Sequence, residues 1–182
     1  KKDRLASLSL MVYTYGIAGV WTSFLCLMAY LTVFWWEVVP MEKLLFATSV
    51  SRFNYSSELN NDFVGNGRHF SPEHQASIAE SAQAAWFITL VMCQFWHLFA
   101  VKTRYVPLFS HAFLPHLRNA LSYIGLLIEV LIVCLLVYVD ELAAIFSLRQ
   151  PPGIVWLYSL GFPLFIYPWT DFVRRKNLAN PD

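Results

Sequence analysis

Residues 5–36 carry no charged side chain, and this run of 32 residues constrains the fold of the chain more than any other feature. A helix needs about 20 mainly apolar residues to cross the hydrocarbon core of a bilayer. Composition points the same way, because 57% of the 182 residues are hydrophobic and only 14% are charged, whereas soluble domains carry about 25% charged residues. The sequence therefore predicts an integral membrane protein with the lipid bilayer as its main partner.

Three further stretches of low charge follow the first one. Together they predict an all-α membrane protein, a bundle of four transmembrane helices that forms one domain over residues 1–182. The predicted spans are residues 8–36, 81–101, 119–139 and 152–170. The second helix is expected to begin outside the membrane, because Ser71 followed by Pro72 is typical of a helix N-terminus. The fourth contains Pro168, which neighbouring helices can tolerate as a kink.

The basic residues are concentrated at one end of these spans. Nine of the 13 lie before the first span, between the second and third, or after the fourth. By the positive-inside rule that side is cytoplasmic, and both termini are predicted to lie there. The other side receives an extracytoplasmic loop of about 44 residues, 37–80, with six acids and three bases. Its Asn, Ser and Gly content predicts turns without an independent core, and it contains one glycosylation sequon at Asn54.

The chain lacks the signatures of several protein classes. It contains no run of five like charges, so nucleic-acid binding has no support. It contains no nucleotide-binding, metalloprotease or serine-hydrolase motif, so we expect no catalytic residue and no cofactor in this segment. Three cysteines lie in separate hydrophobic stretches without ligand spacing, so we expect buried thiols and no transition-metal site.

Glu129 is the main candidate for function, because it is the one charge in the third predicted span and lies at its midpoint. A carboxylate at the centre of a membrane helix costs about 2.5–3.5 kcal/mol on insertion scales. One interpretation is a carboxylate that coordinates a cation or accepts a proton in a protein-lined cavity. The other is a protonated, hydrogen-bonded side chain that joins helices.

Gln94 and His97 lie in the second predicted span, three residues apart, and are predicted to share a helix face that points into the bundle with Glu129. An amide oxygen can be offered to a cation, although intramembrane Gln also joins helices. His97 has two interpretations, a part of an ion path or an interfacial histidine that donates to a backbone carbonyl.

The order of short motifs along the chain resembles the seventh to tenth transmembrane helices of P-type cation-transporting ATPases, nearest the sodium/potassium and proton/potassium branch. The resemblance covers essentially the whole chain. It rests on Tyr15-Gly16-x-x-Gly19, Gln83 to Phe87, Lys102-Thr103-Arg104, Gly125-Leu126 with Glu129, and Val173-Arg174-Arg175.

The resemblance implies that Gln94 and Glu129 help to form an ion site between the eighth and ninth helices of such a pump. His97 stands where sodium-pumping members have an aspartate, which implies proton coupling in place of a third sodium ion. Ile128 stands where the family has a first glutamate. The stretch 65–68 differs from the contact motif for an accessory beta subunit, which argues against that partner.

The resemblance further implies a sodium or potassium translocase, or a related pump, in the plasma membrane. ATP and Mg²⁺ would act in the parent protein, because the phosphorylated aspartate and nucleotide domain are absent from this segment. The transported partner is a monovalent cation or proton, and the remaining pump helices pack against the segment. Two alternatives remain, a stand-alone four-span protein that binds or regulates a partner and a channel-forming oligomer.

Overall fold

The computed structural model describes residues 11–41, 44, 53, 63–101 and 120–179, and most of these are helical. The elements in chain order are a π-helix Val12–Gly19, α1 Val20–Trp36, β1 Phe63–Gly65, β2 Arg68–Phe70, α2 Pro72–Val101, α3 Ala120–Tyr138, α4 Asp140–Ile145, α5 Val155–Tyr158 and α6 Gly161–Ala179. The sequon at Asn54 and the basic residues Lys102, Arg104 and Arg118 lie outside the described residues.

Two helices in the described part of the chain are long and apolar enough to cross a membrane. One is the continuous helix Val12–Trp36, formed by the π-helix and α1, and the other is Pro72–Leu98 of α2. The apolar part of α3, Tyr123–Tyr138, is shorter. The fourth hydrophobic stretch is divided between α5 and α6. The structure thus has two full-length candidate spans, and the bundle of four spans stays a prediction.

The start of α2 follows the pattern that the sequence predicts. Ser71 Oγ accepts a hydrogen bond from the backbone N–H of His74 at 3.3 Å, as an N-cap side chain does. Pro72 occupies the first helical position, where its missing N–H costs nothing. Residues 72–80 therefore belong to the helix, and they take up part of the connection that was predicted as loop.

A two-stranded antiparallel hairpin precedes α2, where the sequence predicted turns alone. Strands β1 and β2 pair in the register Phe63 to Phe70. The two residues between them, Asn66 and Gly67, have φ values of 50° and 76°, which is the combination that a tight hairpin turn requires. The Asn66 side chain donates to the backbone carbonyl of Val38 at 3.3 Å, so the turn is attached to the end of α1.

Packing of α1 against α2 forms the main core. Ala29 and Phe34 of α1 and Ala82 and Ala85 of α2 are fully buried in one cluster. Small side chains let membrane helices approach closely, which favours association through van der Waals contact. A second cluster joins the first helix, α2 and α6. Its buried members are Ala18, Leu25, Cys93, Ala100, Phe162, Ile166 and Tyr167.

Helices α5 and α6 are fixed to α1 by hydrogen bonds and close contact. The hydroxyl groups of Thr32 and Tyr158 lie 2.5 Å apart. The indole of Trp21 donates to the carbonyl of Gly161 at 3.1 Å. A Cβ at Gly161 would lie 2.8 Å from Cδ2 of Leu25, which is buried. A side chain at Gly161 would therefore have to displace the end of the Leu25 side chain.

We expect Gly161→Leu to lower the free energy of unfolding by about 1–3 kcal/mol, because the new side chain must displace the buried Leu25. Thermal unfolding of the detergent-solubilised protein, followed by tryptophan fluorescence, measures the loss. Gly125→Leu on α3 is the control, since a Cβ there meets no atom within 4 Å. Adding Leu25→Ala should restore part of the stability. Equal losses for the two glycine variants would contradict the contact.

Candidate ion site

Glu129 lies on the side of α3 that faces the core. Leu126 and Val133 are buried at 5% and 1% exposure, and their spacing of three and four residues from Glu129 puts all three on one helix face. Leu127 and Leu131 lie on the opposite face and are 70% and 55% exposed. The Glu129 side chain itself is half-buried. The carboxyl group is therefore turned toward the bundle and away from the most exposed side of α3.

No described residue forms a hydrogen bond or an ion pair with the Glu129 side chain. The face that it shares is apolar, and an ionisable group held against apolar side chains requires a partner or a neutral form. Ion coordination, proton binding and a hydrogen bond from a further helix all meet this requirement.

Gln94 and His97 differ in burial, although a spacing of three residues predicted a shared face. His97 follows the buried stripe of α2, since Cys93 and Ala100 are 0% and 2% exposed and lie four and three residues away. Gln94 is exposed and lies on the same stripe as the exposed Leu90 and Leu98, at four-residue spacing. The two side chains consequently occupy adjoining faces of α2.

The His97 ring is held between aromatic side chains from two other helices. Its centroid lies 6.1 Å from that of Tyr13 in the π-helix and 5.7 Å from that of Phe162 in α6, the latter at an interplanar angle of 77°. Its Nε2 atom is buried and has no hydrogen-bond partner within the described ranges. A buried polar atom of this kind costs free energy until it is satisfied.

Several polar groups of α2 and α6 were missed by the sequence analysis. The Tyr167 hydroxyl donates to the backbone carbonyl of Trp96 at 3.2 Å. The indole nitrogen of Trp96 and the Thr89 hydroxyl are buried without a hydrogen-bond partner in the described part of the chain. Aromatic residues are so frequent in this sequence that no single one stood out, and only the contacts identify Tyr13, Trp96 and Tyr167 as neighbours of one region.

The described residues do not join the three predicted site residues into one ligand set. Gln94, His97 and Glu129 make no hydrogen bond to one another. Within the same residues, no three His, Cys, Asp or Glu side chains come together to hold a metal ion. Completion of a cation site at Glu129 or His97 would therefore need oxygen or nitrogen atoms from other parts of the protein, or water.

We expect His97→Phe to raise the free energy of unfolding by about 1 kcal/mol, because it keeps the aromatic ring and removes a buried nitrogen without a partner. Thermal unfolding in detergent measures the change. Gln94→Leu is the control, and since its side chain is exposed the shift should stay within about 0.5 kcal/mol. A less stable His97→Phe protein would mean that Nε2 has a partner from outside the described residues.

Comparison with known proteins identifies the family. No curated protein matches the chain. The family model described as cation transporting ATPase, C-terminus, matches residues 1–175. This match covers nearly all of the 182 residues and agrees with the two long apolar helices. The chain therefore belongs to this family, the C-terminal membrane segment of P-type cation-transporting ATPases.

Proposed function

We propose that this segment braces the ion-binding helices of a P-type pump and contributes Glu129, Gln94 and His97 to a cation or proton path. The parent pump belongs to the sodium/potassium or proton/potassium branch, lies in the plasma membrane and has both termini of this segment in the cytoplasm. ATP and Mg²⁺ act elsewhere in the parent protein. This chain supplies packing surface and a few polar groups at membrane depth.

The observation that carries the proposal is the position of Glu129. Its carboxyl group lies on the core-facing side of α3 between two buried apolar residues and has no partner among the described residues. Ionisable groups inside a membrane domain are costly, and they mark ion pathways or proton relays more often than simple structural contacts. A cation or proton from the pump cycle would supply the missing partner.

His97 supports a proton rather than a third sodium ion on this side of α2. Its Nε2 atom is buried between two aromatic rings and is not satisfied within the described part of the chain. An imidazole can accept and release a proton, whereas a protonated imidazole would repel a bound sodium ion. Gln94 can act from the exposed face of α2, where a helix from the rest of the pump would pack.

The interface between α1 and α2 supports the bracing role. One buried cluster contains Phe34 of α1 with residues of α2, and a second contains Phe162 of α6 with residues of the first helix and α2, so the described helices pack against one another in two places. Large apolar side chains remain exposed on α3 and α6, including Leu127 and Leu164 at 70% and 77%. In the complete pump these surfaces would contact lipid or the remaining transmembrane helices.

We expect Glu129→Gln in the complete pump to weaken the apparent affinity for the transported cation about tenfold, or about 1.4 kcal/mol, because the amide loses the charge and the proton site. Cation-dependent ATPase activity and ion transport in membrane vesicles measure this change. Glu141→Gln is the matched control, since Glu141 is an exposed acid in α4. Unchanged affinity and transport stoichiometry would leave Glu129 with a packing role.

The native polypeptide should be several-fold heavier than the 21.0 kDa of this chain, because the catalytic domains of the pump must be part of it. An antibody against residues 60–69 and an immunoblot of source membranes measure the mass. A band near 21 kDa would contradict a pump segment and favour the stand-alone four-span protein.

A further inference from the structure

A polar cleft of about 840 Å³ lies where α1 ends and α2 begins. It is separate from the candidate ion site, because His74 in its wall is 23 residues from His97 along α2, or about 35 Å in a helix. The end of α1, the first turns of α2 and the connection that precedes α5 form its walls. Its volume lies within the range of about 300–1,000 Å³ that is usual for pockets that bind small molecules.

The walls of the cleft lie where the two long helices pass from uncharged to charged residues. The candidate span Val12–Trp36 ends at the cleft, and the first charged residue after it, Glu37, lines the wall. On α2 the wall ends at Ser81, which is the first residue of the uncharged stretch 81–101. Trp36 also lines the cleft and is 61% exposed, and tryptophan is enriched at the membrane–water interface. The cleft therefore lies at the depth of the lipid headgroups.

Two charged groups of opposite sign line the cleft from different walls. Glu73 lies in the first turn of α2 and Arg149 lies in the connection before α5, and both are exposed. Neither forms a hydrogen bond or an ion pair with any residue that the structure describes. The other acid in the lining, Glu37, lies 3.7 Å from Nε2 of His74. A carboxylate and a guanidinium thus share one cleft without contacting each other.

These groups are complementary to a ligand that carries both a phosphate and an ammonium group. A guanidinium binds phosphate through two parallel hydrogen bonds, and a carboxylate accepts hydrogen bonds from an ammonium group. An indole ring such as that of Trp36 attracts a cation to its face. The lining contains two carboxylates and one guanidinium, so the excess of negative charge disfavours a ligand that is itself an anion.

We propose that the cleft binds the headgroup of a zwitterionic phospholipid, phosphatidylethanolamine. Arg149 binds the phosphate, Glu73 accepts a hydrogen bond from the primary ammonium group, and the acyl chains extend from the cleft into the hydrocarbon core. Ethanolamine is preferred to choline, because a trimethylammonium group has no N–H to donate to a carboxylate. The bound lipid contacts the end of α1, the start of α2 and the connection before α5 together.

Lipid retention by the complete pump tests the proposal. The pump is reconstituted with equal amounts of phosphatidylethanolamine, phosphatidylcholine and phosphatidylglycerol that have the same acyl chains. It is then extracted in mild detergent, and native mass spectrometry counts the lipids that stay bound. We expect phosphatidylethanolamine to be retained in excess of the other two. Retention of phosphatidylcholine to the same extent would contradict the hydrogen bond to Glu73, and a preference for phosphatidylglycerol would contradict a zwitterionic ligand.

Variants of the two charged side chains locate the binding in the cleft. Arg149→Gln and Glu73→Gln should each lower the retained phosphatidylethanolamine by about one lipid per pump, because one partner of a charge-assisted hydrogen bond is lost. Arg149→Lys keeps the positive charge and should retain most of that lipid. Glu141→Gln is the matched control, since Glu141 is an exposed acid of α4 that does not line the cleft. Equal counts in the wild type and both Gln variants, or the same loss in the control, would overturn the site.

A soluble headgroup distinguishes a lipid from a free ligand of the same chemistry. Titration calorimetry compares free phosphoethanolamine with dihexanoyl phosphatidylethanolamine on the delipidated pump. The short-chain lipid should bind more tightly, because its acyl chains bury apolar surface beside the cleft. Equal affinity of the two compounds would contradict a lipid site and indicate a soluble ligand.

The lipid site requires that α1 and α2 lie in a membrane, and it does not require the proposed ion path. Glu129→Gln should therefore leave the retained phosphatidylethanolamine unchanged. Unchanged cation affinity in Glu129→Gln would count against the ion path alone. Loss of the preference for phosphatidylethanolamine would count against the lipid site alone.

Discussion

Close packing of α1 on α2 is the interaction on which the rest of the described structure depends. Alanines at 29, 82 and 85 lie in this interface and allow the helix backbones to approach. In lipid, where burial of apolar surface gives little driving force between helices, such contact is the main source of association energy. The hairpin, α5 and α6 are each joined to α1 or to the residues that follow it by a hydrogen bond. These attachments position the polar residues at both ends of the pair formed by α1 and α2.

The packing of α1 on α2 also determines the surroundings of three polar side chains, those of His97, Gln94 and Glu129. The stripe of α2 that packs inward includes His97, so this ring is enclosed by aromatic neighbours. Gln94 lies one residue beyond Cys93 and therefore falls outside the stripe. Glu129 faces the core from α3, which packs against fewer of the other helices than α2 does. Of the three side chains, only His97 is enclosed by aromatic neighbours from the described helices.

The sequence predicted the features that depend on local chemistry. Absence of charge located the two helices that are long and apolar enough to cross a membrane, and Ser71 with Pro72 located the start of α2. It did not predict the π-helix, because the i to i+5 pattern of hydrogen bonds has no simple residue signature. The hairpin strands are three residues each, too short for alternation to be recognised. The unequal burial of Gln94 and His97 and the pairing of Glu37 with His74 depend on contacts between helices, which no local pattern specifies.

The uninterrupted length of α2 has a mechanical consequence. Its 30 residues extend about 45 Å, and after the first position they contain neither glycine nor proline. Sharp bends in helices arise at proline, at glycine or at π-bulges, and α2 has none of these. A tilt of α2 as a rigid body would therefore carry both of its ends together. The neighbouring α6 differs, because Pro168 in its interior is a residue at which a helix can bend.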